Sequence, residues 1–360
     1  MIGLVSASPL TEPVPVAPVP VATVPAATVA GTPVSTAPAP IRPRAWLPSF
    51  VALAAIWGSS FLFIKVGIRE LHPAWVTFGR VSTGALTLLV LLLVTRDRLP
   101  RGLGLWARMA VLAFIGNVIP FTLFGYGEQR VSSIVAGIWN ATTPLMVLLV
   151  SLVFLPAERP NARRVAGLGV GFIGVLTVLG VWHGIGGGEL VGQLLCAGAA
   201  VCYGFAIPYT RRIVNGRSDT GLSLAATQLV MASVELAVVA PLLGGAPAAP
   251  WHLSWDVAAS VLGLGVLGTG LAFAMNYRII ALVGAAVSAS VTYVVPIFAT
   301  LLGVTVLGEA LHWYEPVGAA VILAGVALAT TTSRARRPKS VGGGPGQQVV
   351  GAPGVDDPVG

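Results

Sequence analysis

Residues 137–158 read GIWNATTPLMVLLVSLVFLPAE, and residues 288–309 read SASVTYVVPIFATLLGVTVLGE. Each is an apolar run carrying a proline, Pro144 in the first and Pro296 in the second, and Leu155 pairs with Leu307. The likeness continues downstream, where RVAGLGVGFIGVL (164–176) resembles EPVGAAVILAGVAL (315–328), with Gly167 on Gly318 and Gly174 on Gly325. Upstream, WGSSFLFIK (57–65) lies over YGFAIPYTR (203–211), setting Trp57 on Tyr203, Gly58 on Gly204 and Lys65 on Arg211. A shared proline with flanking glycines in register is more than Leu/Val/Ala-rich segments share by composition. The chain is therefore read as two copies of one unit.

The medium in which those copies fold follows from composition. Of 360 residues, 55% are hydrophobic and 9% charged, with mean hydropathy +0.86. A soluble domain carries about 25% charged residues, so most of this surface must face lipid. Ten apolar segments are long enough to span about 30 Å of hydrocarbon. They run over 46–67, 74–94, 106–127, 131–154, 164–182, 190–210, 222–242, 256–276, 284–307 and 314–332. All are expected to be helices, because open sheet edges cannot sit in lipid and the alternation of a barrel strand is missing. Five spans per copy is an odd number, so the second copy enters the membrane upside down. The fold class expected is an all-α membrane protein with ten transmembrane helices in two inverted five-helix repeats, the architecture of secondary transporters.

The repeats are placed at 45–183 and 188–332, between a Pro/Ala/Val-rich tail (1–44, ten prolines) and a basic, then Gly/Pro-rich tail (334–360). Both tails are expected to be disordered. No basic region precedes an uninterrupted apolar core near the start, so a cleaved signal peptide is not expected. With ten spans and a cytoplasmic N-terminus, 17 of the 21 Lys and Arg fall in cytoplasmic loops and tails, and only Arg69 and Arg130 in outer loops. That bias orients both termini into the cytoplasm of a cell-membrane protein. It also removes nucleic acid as the meaning of the +8 net charge. Cys196 and Cys202, six apart on one span, suit neither a metal site nor a disulfide, and no cofactor is implied.

At this point the chain resembles a known family. WGSSF followed by Lys65, Arg80 early in the second span within HPAWVTFGRVSTGAL, and a proline-bearing span running into LPAE or VLGE before a Gly-rich last span are similar to EamA-type transporters of the drug/metabolite transporter superfamily. The likeness covers about 45–332. It implies ten helices as inverted repeats, a central cavity between the halves, and export of small metabolites. LPAE in the first repeat and Glu235 in the seventh span depart from the family's pattern.

Charged groups inside hydrocarbon are the candidates for chemistry. Lys65 and Arg80 each lie roughly 10 Å below the outer turn at about 1.5 Å per residue. Either they snorkel to the headgroups, or they ring the outer part of the cavity. Lysine is scarce here, with 19 arginines to two lysines, which sharpens interest in Lys65. Glu128, in GYGEQRV, reads as a solvated loop charge more readily than as a site residue. Glu235 has only apolar or small neighbours in QLVMASVELAVVAPLL, so it is protonated or paired inward, and it is the candidate proton carrier. Trp57, Ser60, Tyr126, Asn140, Tyr203, Gln228 and Tyr293 are candidate pathway walls, Gln228 aligning with Arg80 in the repeat. Pro144, Pro208 and Pro296 are expected in mid-helix, where they are candidate helix bends.

P-loop, HExxH, CxxC and strand-borne GxGxxG motifs are absent, and no catalytic or metal-binding residue is expected. The function expected is a secondary transporter, exporting a small metabolite such as an amino acid by alternating access. Its partners are a small-molecule substrate, the bilayer, protons as a coupling ion and a second copy in a homodimer. The alternative is a membrane-embedded enzyme acting on a lipid-type substrate. Such chemistry needs clustered Asp or His, whereas His72, His183, His252 and His312 are scattered outside the spans or at their edges. If Lys65 lines the pathway, Lys65→Met abolishes transport while membrane insertion stays normal; flux equal to wild type would identify snorkelling instead.

Overall fold

The computed structural model describes residues 46–154, 162–180, 182, 187–214, 217–247, 249–283, 287–288 and 290–330. Both tails, the LPAE stretch with Glu158, and His183 lie outside the described residues. Every regular element within them is helical. In chain order these are α1 (Leu47–Gly67), α2 (Pro73–Thr95), α3 (Leu103–Ala113), α4 (Ile119–Glu128), α5 (Ser133–Ala141), α6 (Thr143–Phe154), α7 (Ala162–Val178), α8 (Gly187–Val214), α9 (Gly221–Gly244), α10 (Trp255–Gly265), α11 (Ala272–Val283), α12 (Val295–Thr305) and α13 (Tyr314–Thr330).

Among the described residues seven helical segments are long and apolar enough to cross a membrane: Leu47–Gly67, Pro73–Thr95, Leu103–Glu128, Ser133–Val153, Gly187–Val214, Gly221–Gly244 and Trp255–Val283. Ser290–Thr305 and Tyr314–Ala329 are shorter apolar helices. The outward faces are hydrocarbon, with Leu93 78% and Leu103 89% exposed. A soluble chain would not leave so many such faces to water.

Helix starts follow the sequence's local chemistry. Pro73 opens α2, where its missing N–H costs nothing, and His72 Nδ1 accepts from the Ala74 N–H at 3.3 Å. Ser132 and Thr220 cap α5 and α9 by accepting from the N–H of Val135 and Ser223. Thirteen labelled helices arise from fewer runs because several runs are interrupted. α3 and α4 are joined by a π-helical turn, Phe114–Val118, and α10 and α11 by another, Val266–Leu271. The equivalent third segment of each repeat therefore carries the same irregularity.

Pro144 and Pro296, expected in mid-helix, stand instead at the second position of a restarted helix. The run breaks at Thr142, and α6 begins at Thr143. Before Pro296, a 3₁₀ turn at Ser290–Tyr293 precedes α12, which begins at Val295. Proline cannot accept a place in the helix interior without losing an i→i−4 bond and clashing with that carbonyl, so the helix ends and starts again with proline in its first turn. Pro208 alone of the three lies inside a continuous helix, α8.

Helices of the two halves pack on each other: α2 on α9, α1 on α12, α4 on α8 and α7 on α13. The last pair meets through glycine. A Cβ on Gly174 would lie 2.6 Å from the Ile322 nitrogen, and one on Gly318 would lie 2.8 Å from that of Val178. Small residues are what let backbones approach so closely in lipid. The Glu309 carboxylate closes another contact between halves. Oε1 accepts from the Ser133 N–H at 2.8 Å, and Oε2 from Ser133 Oγ at 2.7 Å and the Ile134 N–H at 3.2 Å. An acid at a helix N-terminus is favoured by the dipole and by the free N–H groups. Glu309→Ala leaves those donors unpaired and is expected to cost about 1–3 kcal/mol, read as a lower unfolding temperature in detergent with membrane insertion unchanged.

Candidate functional site

A cavity of about 200 Å³ lies between the halves. From the first half it is lined by Trp57, Ser60, Phe61 and Ile64 of α1, Arg80 of α2, Gly116, Phe121 and Phe124 around the first π turn, and Asn140 and Thr143 at the α5–α6 break. From the second half come Tyr203, Thr210 and Arg211 of α8, Gln228 of α9, Phe273, Asn276 and Tyr277 of α11, and Ser288 and Thr292. The wall is aromatic and amide-rich and carries two cations. No Asp or Glu lies among its described lining residues.

Arg80 is the buried cation of this wall, 6% exposed. Its Nε donates to Thr269 Oγ1 at 2.8 Å, and its guanidinium lies 3.7 Å from the Phe121 ring centroid. Both contacts turn it inward, so the snorkelling alternative does not describe Arg80. Gln228, its partner in the repeat, does the equivalent thing. Its Nε2 donates to Asn117 Oδ1 at 2.7 Å and its Oε1 accepts from the Tyr277 hydroxyl at 3.0 Å. Thr269 and Asn117 occupy the two π turns. Arg80 of α2 and Gln228 of α9 thus each reach the π turn of the opposite half, once with a cation and once without.

The cavity and a second pocket lie one helical turn apart. Phe61 and Ile64 of α1 and Phe124 of α4 wall the first, while Lys65, Ile68 and Glu128 belong to the second, with Arg69, Gln129, Leu307 and Glu309. The Phe61 and Phe124 rings, 5.5 Å apart and edge to face, stand at the cavity end nearer that pocket. Exposed Arg211 stands elsewhere on the wall.

Trp57, Ser60, Arg80, Asn140, Tyr203 and Gln228 are brought to one cavity. Lys65 is not on its wall. It donates to the Glu128 carbonyl at 2.6 Å and the Val131 carbonyl at 2.8 Å, bridging the α4–α5 turn. The single cationic ring considered for Lys65 and Arg80 does not form, because α1 and α2 pack mainly on the other half and only slightly on each other. Tyr126 bonds His72 Nε2 at 3.1 Å behind α2. Tyr293 packs beside Ile134 and Ile138. Glu235 is half-buried on α9, away from both pockets.

Glu128 corrects its reading as a solvated loop charge. It ends α4 fully buried, and neither carboxylate oxygen has a hydrogen-bond partner. Sequence reasoning also passed over Arg211, counted as a loop cation although Lys65 aligned with it, and Asn276, Asn117 and Thr269. The last three are polar groups inside apolar runs, a signal that was present. Groups of three or more His, Cys, Asp or Glu able to hold a metal are not found among the described residues.

The family described as the EamA-like transporter family matches this chain twice, over residues 44–180 and 190–331, which fits the internal repeat. Uncharacterized transporter YoaV of Bacillus subtilis (strain 168) is 26% identical over 291 residues, 80% of this chain and 97% of YoaV. Uncharacterized inner membrane transporter YedA of Escherichia coli (strain K12) is 28% identical over 300 residues, 81% of this chain and 93% of YedA. A solved crystal structure of a protein at 20% identity superposes with a TM-score of 0.56, covering 79% of this chain and 96% of that one, and shows a shared fold.

The two contacts at the π turns predict an ordered pair of losses. Thr269→Val strands a charged donor and is expected to cost about 1.5–3 kcal/mol, and Asn117→Val, which strands a neutral one, about 1 kcal/mol. Unfolding temperatures in detergent should fall in that order.

Proposed function

Because the chain belongs to the EamA-like transporter family, we propose that it is a secondary transporter moving a small metabolite through the central cavity by alternating access. In this reading ten helices form two inverted repeats, over about 45–183 and 188–332 between the two tails, with both termini in the cytoplasm of a cell-membrane protein. Transport is outward, an amino acid is the type of cargo, and a homodimer and proton coupling are compatible with it.

The observation that carries the reading is the cavity's wall. It is built from both halves, it holds Arg80 and Arg211, and no carboxylate answers them there. Arg80, kept out of water with no carboxylate hydrogen-bonded to it, is stabilised by an arriving anion. The aromatic lining suits an apolar body attached to that anion. The substrate class proposed is therefore a small organic carboxylate, amino acids included. Discontinuous helices at the cavity, with the α6 N-terminus and the unpartnered buried hydroxyl of Thr143 beside it, support the same reading, since half-helix N-termini serve anionic groups in transporter folds. The relatives are named as transporters, which favours transport over a lipid-directed enzyme.

The test compares the metabolites released by cells with the protein, without it, and with Arg80→Gln at equal membrane abundance. Wild type should enrich the medium in small carboxylates. The variant should release them about tenfold or more slowly, as expected when a charge-assisted bond of about 1.5–3 kcal/mol is lost. Identical media in all three cultures would refute the assignment.

A further inference from the structure

Glu128 is the one described acid that is fully buried with both oxygens unpartnered. The groups around it are otherwise engaged. Lys65 of α1 places its ammonium on the backbone carbonyls of Glu128 and Val131. The carboxylate of Glu309 is spent on the start of α5. Arg80 of α2 is held by Thr269 and Phe121. Cys196 of α8 is the remaining titratable neighbour. On the α4–α5 turn itself, exposed Arg130 bonds the Tyr126 carbonyl. Lys65, Arg80 and Glu309 are the three charged neighbours of Glu128.

An acid so placed has two stable conditions, ionised within the field of two cations or neutral with a bound proton. Glu128 is among the residues lining the second pocket, the outer one in the proposed orientation, with Lys65, Arg69 and Glu309, and a proton would reach it from that side. One and two turns earlier on the same helix, Phe124 and Phe121 wall the central cavity. We propose that Glu128 is the proton-binding site that couples the outer pocket to the central cavity, with Lys65 as its positioning residue. The proposal rests on the transport reading for its purpose, and not for its chemistry.

The step is a simple protonation: one carboxylate oxygen gains a proton from water in the outer pocket, and the side chain becomes neutral. Neutral Glu128 no longer offsets the charge of Arg80, so the guanidinium gains affinity for an anion in the cavity. By reciprocity, an anion on Arg80 favours the proton on Glu128 by the same factor. Proton and organic anion therefore bind together. Glu235, the acid that stood out in sequence, is only half-buried and borders neither pocket.

Infrared difference spectra of the full-length protein in phosphatidylcholine vesicles, taken between mildly acidic and mildly alkaline buffer, read the site without any substrate. The carbonyl band of a protonated carboxyl group should appear in wild type and in Glu235→Gln and be lost in Glu128→Gln. Should Glu128→Gln fail to insert, Glu128→Asp should shift the band, and Lys65→Met should move the pH at which it appears. A band lost in Glu235→Gln and kept in Glu128→Gln, or one indifferent to Glu128→Asp and Lys65→Met, overturns the proposal. The band at Glu128 with no metabolite released by cells would instead count against the transport reading alone.

Discussion

Every backbone N–H and C=O that enters hydrocarbon must find its partner within the protein. That constraint makes every described element helical, and it also locates the departures from regular α-helix. The π turn at Phe114–Val118 contributes Gly116 to the cavity wall, and the one at Val266–Leu271 contributes the hydroxyl that holds Arg80. The break at Thr142 sits between Asn140 and Thr143, and the 3₁₀ turn at Ser290–Tyr293 includes Thr292, all three of them on the same wall. Irregular backbone is thus kept to the interior, where side chains and internal space replace the missing ladder bonds. π turns recur at functional positions in helices for the same reason.

The two halves then meet through a small number of polar contacts set in close packing. Arg80 to Thr269 and Gln228 to Asn117 are the same contact made in opposite directions. Each leaves the second segment of one repeat and ends on the third segment of the other. Tight glycine packing of α7 on α13 surrounds neither. The charged version and the neutral version differ in what they ask of a ligand, since only Arg80 presents a charge in need of an anion. The Arg80/Gln228 difference between the two halves gives the cavity unlike chemistry at equivalent places.

Much of this was legible. Apolar runs located the helical segments, and the paired prolines marked where two of them stop and restart, although the prolines themselves sit in first turns and not in mid-helix. Arg80, Trp57, Asn140, Tyr203 and Gln228 stood out as polar or aromatic groups deep in apolar sequence, and they share one cavity. Lys65 stood out for the same reason and went elsewhere, because backbone carbonyls at the α4–α5 turn satisfy its ammonium. Glu128 was weighed as a site residue and read instead as a solvated loop charge. Its neighbours in sequence, Gln129 and Arg130, are those of a loop, and only the packing of α1, α8 and the Glu309 segment around it removes it from water.

Sequence alone determined that the chain lives in lipid, that it is helical, that it is duplicated and which side chains are costly there. These follow from composition and periodicity, which are properties of residues taken singly or in local order. Tertiary structure decided which costly groups face a common space and which are satisfied in place. That choice depends on the distance from each group to partners far away in sequence, 189 residues for Arg80 and Thr269 and 63 for Lys65 and Glu128. A charge in hydrocarbon announces that it needs a partner; only the fold reveals whether the partner is the protein's own backbone or a space left for something else.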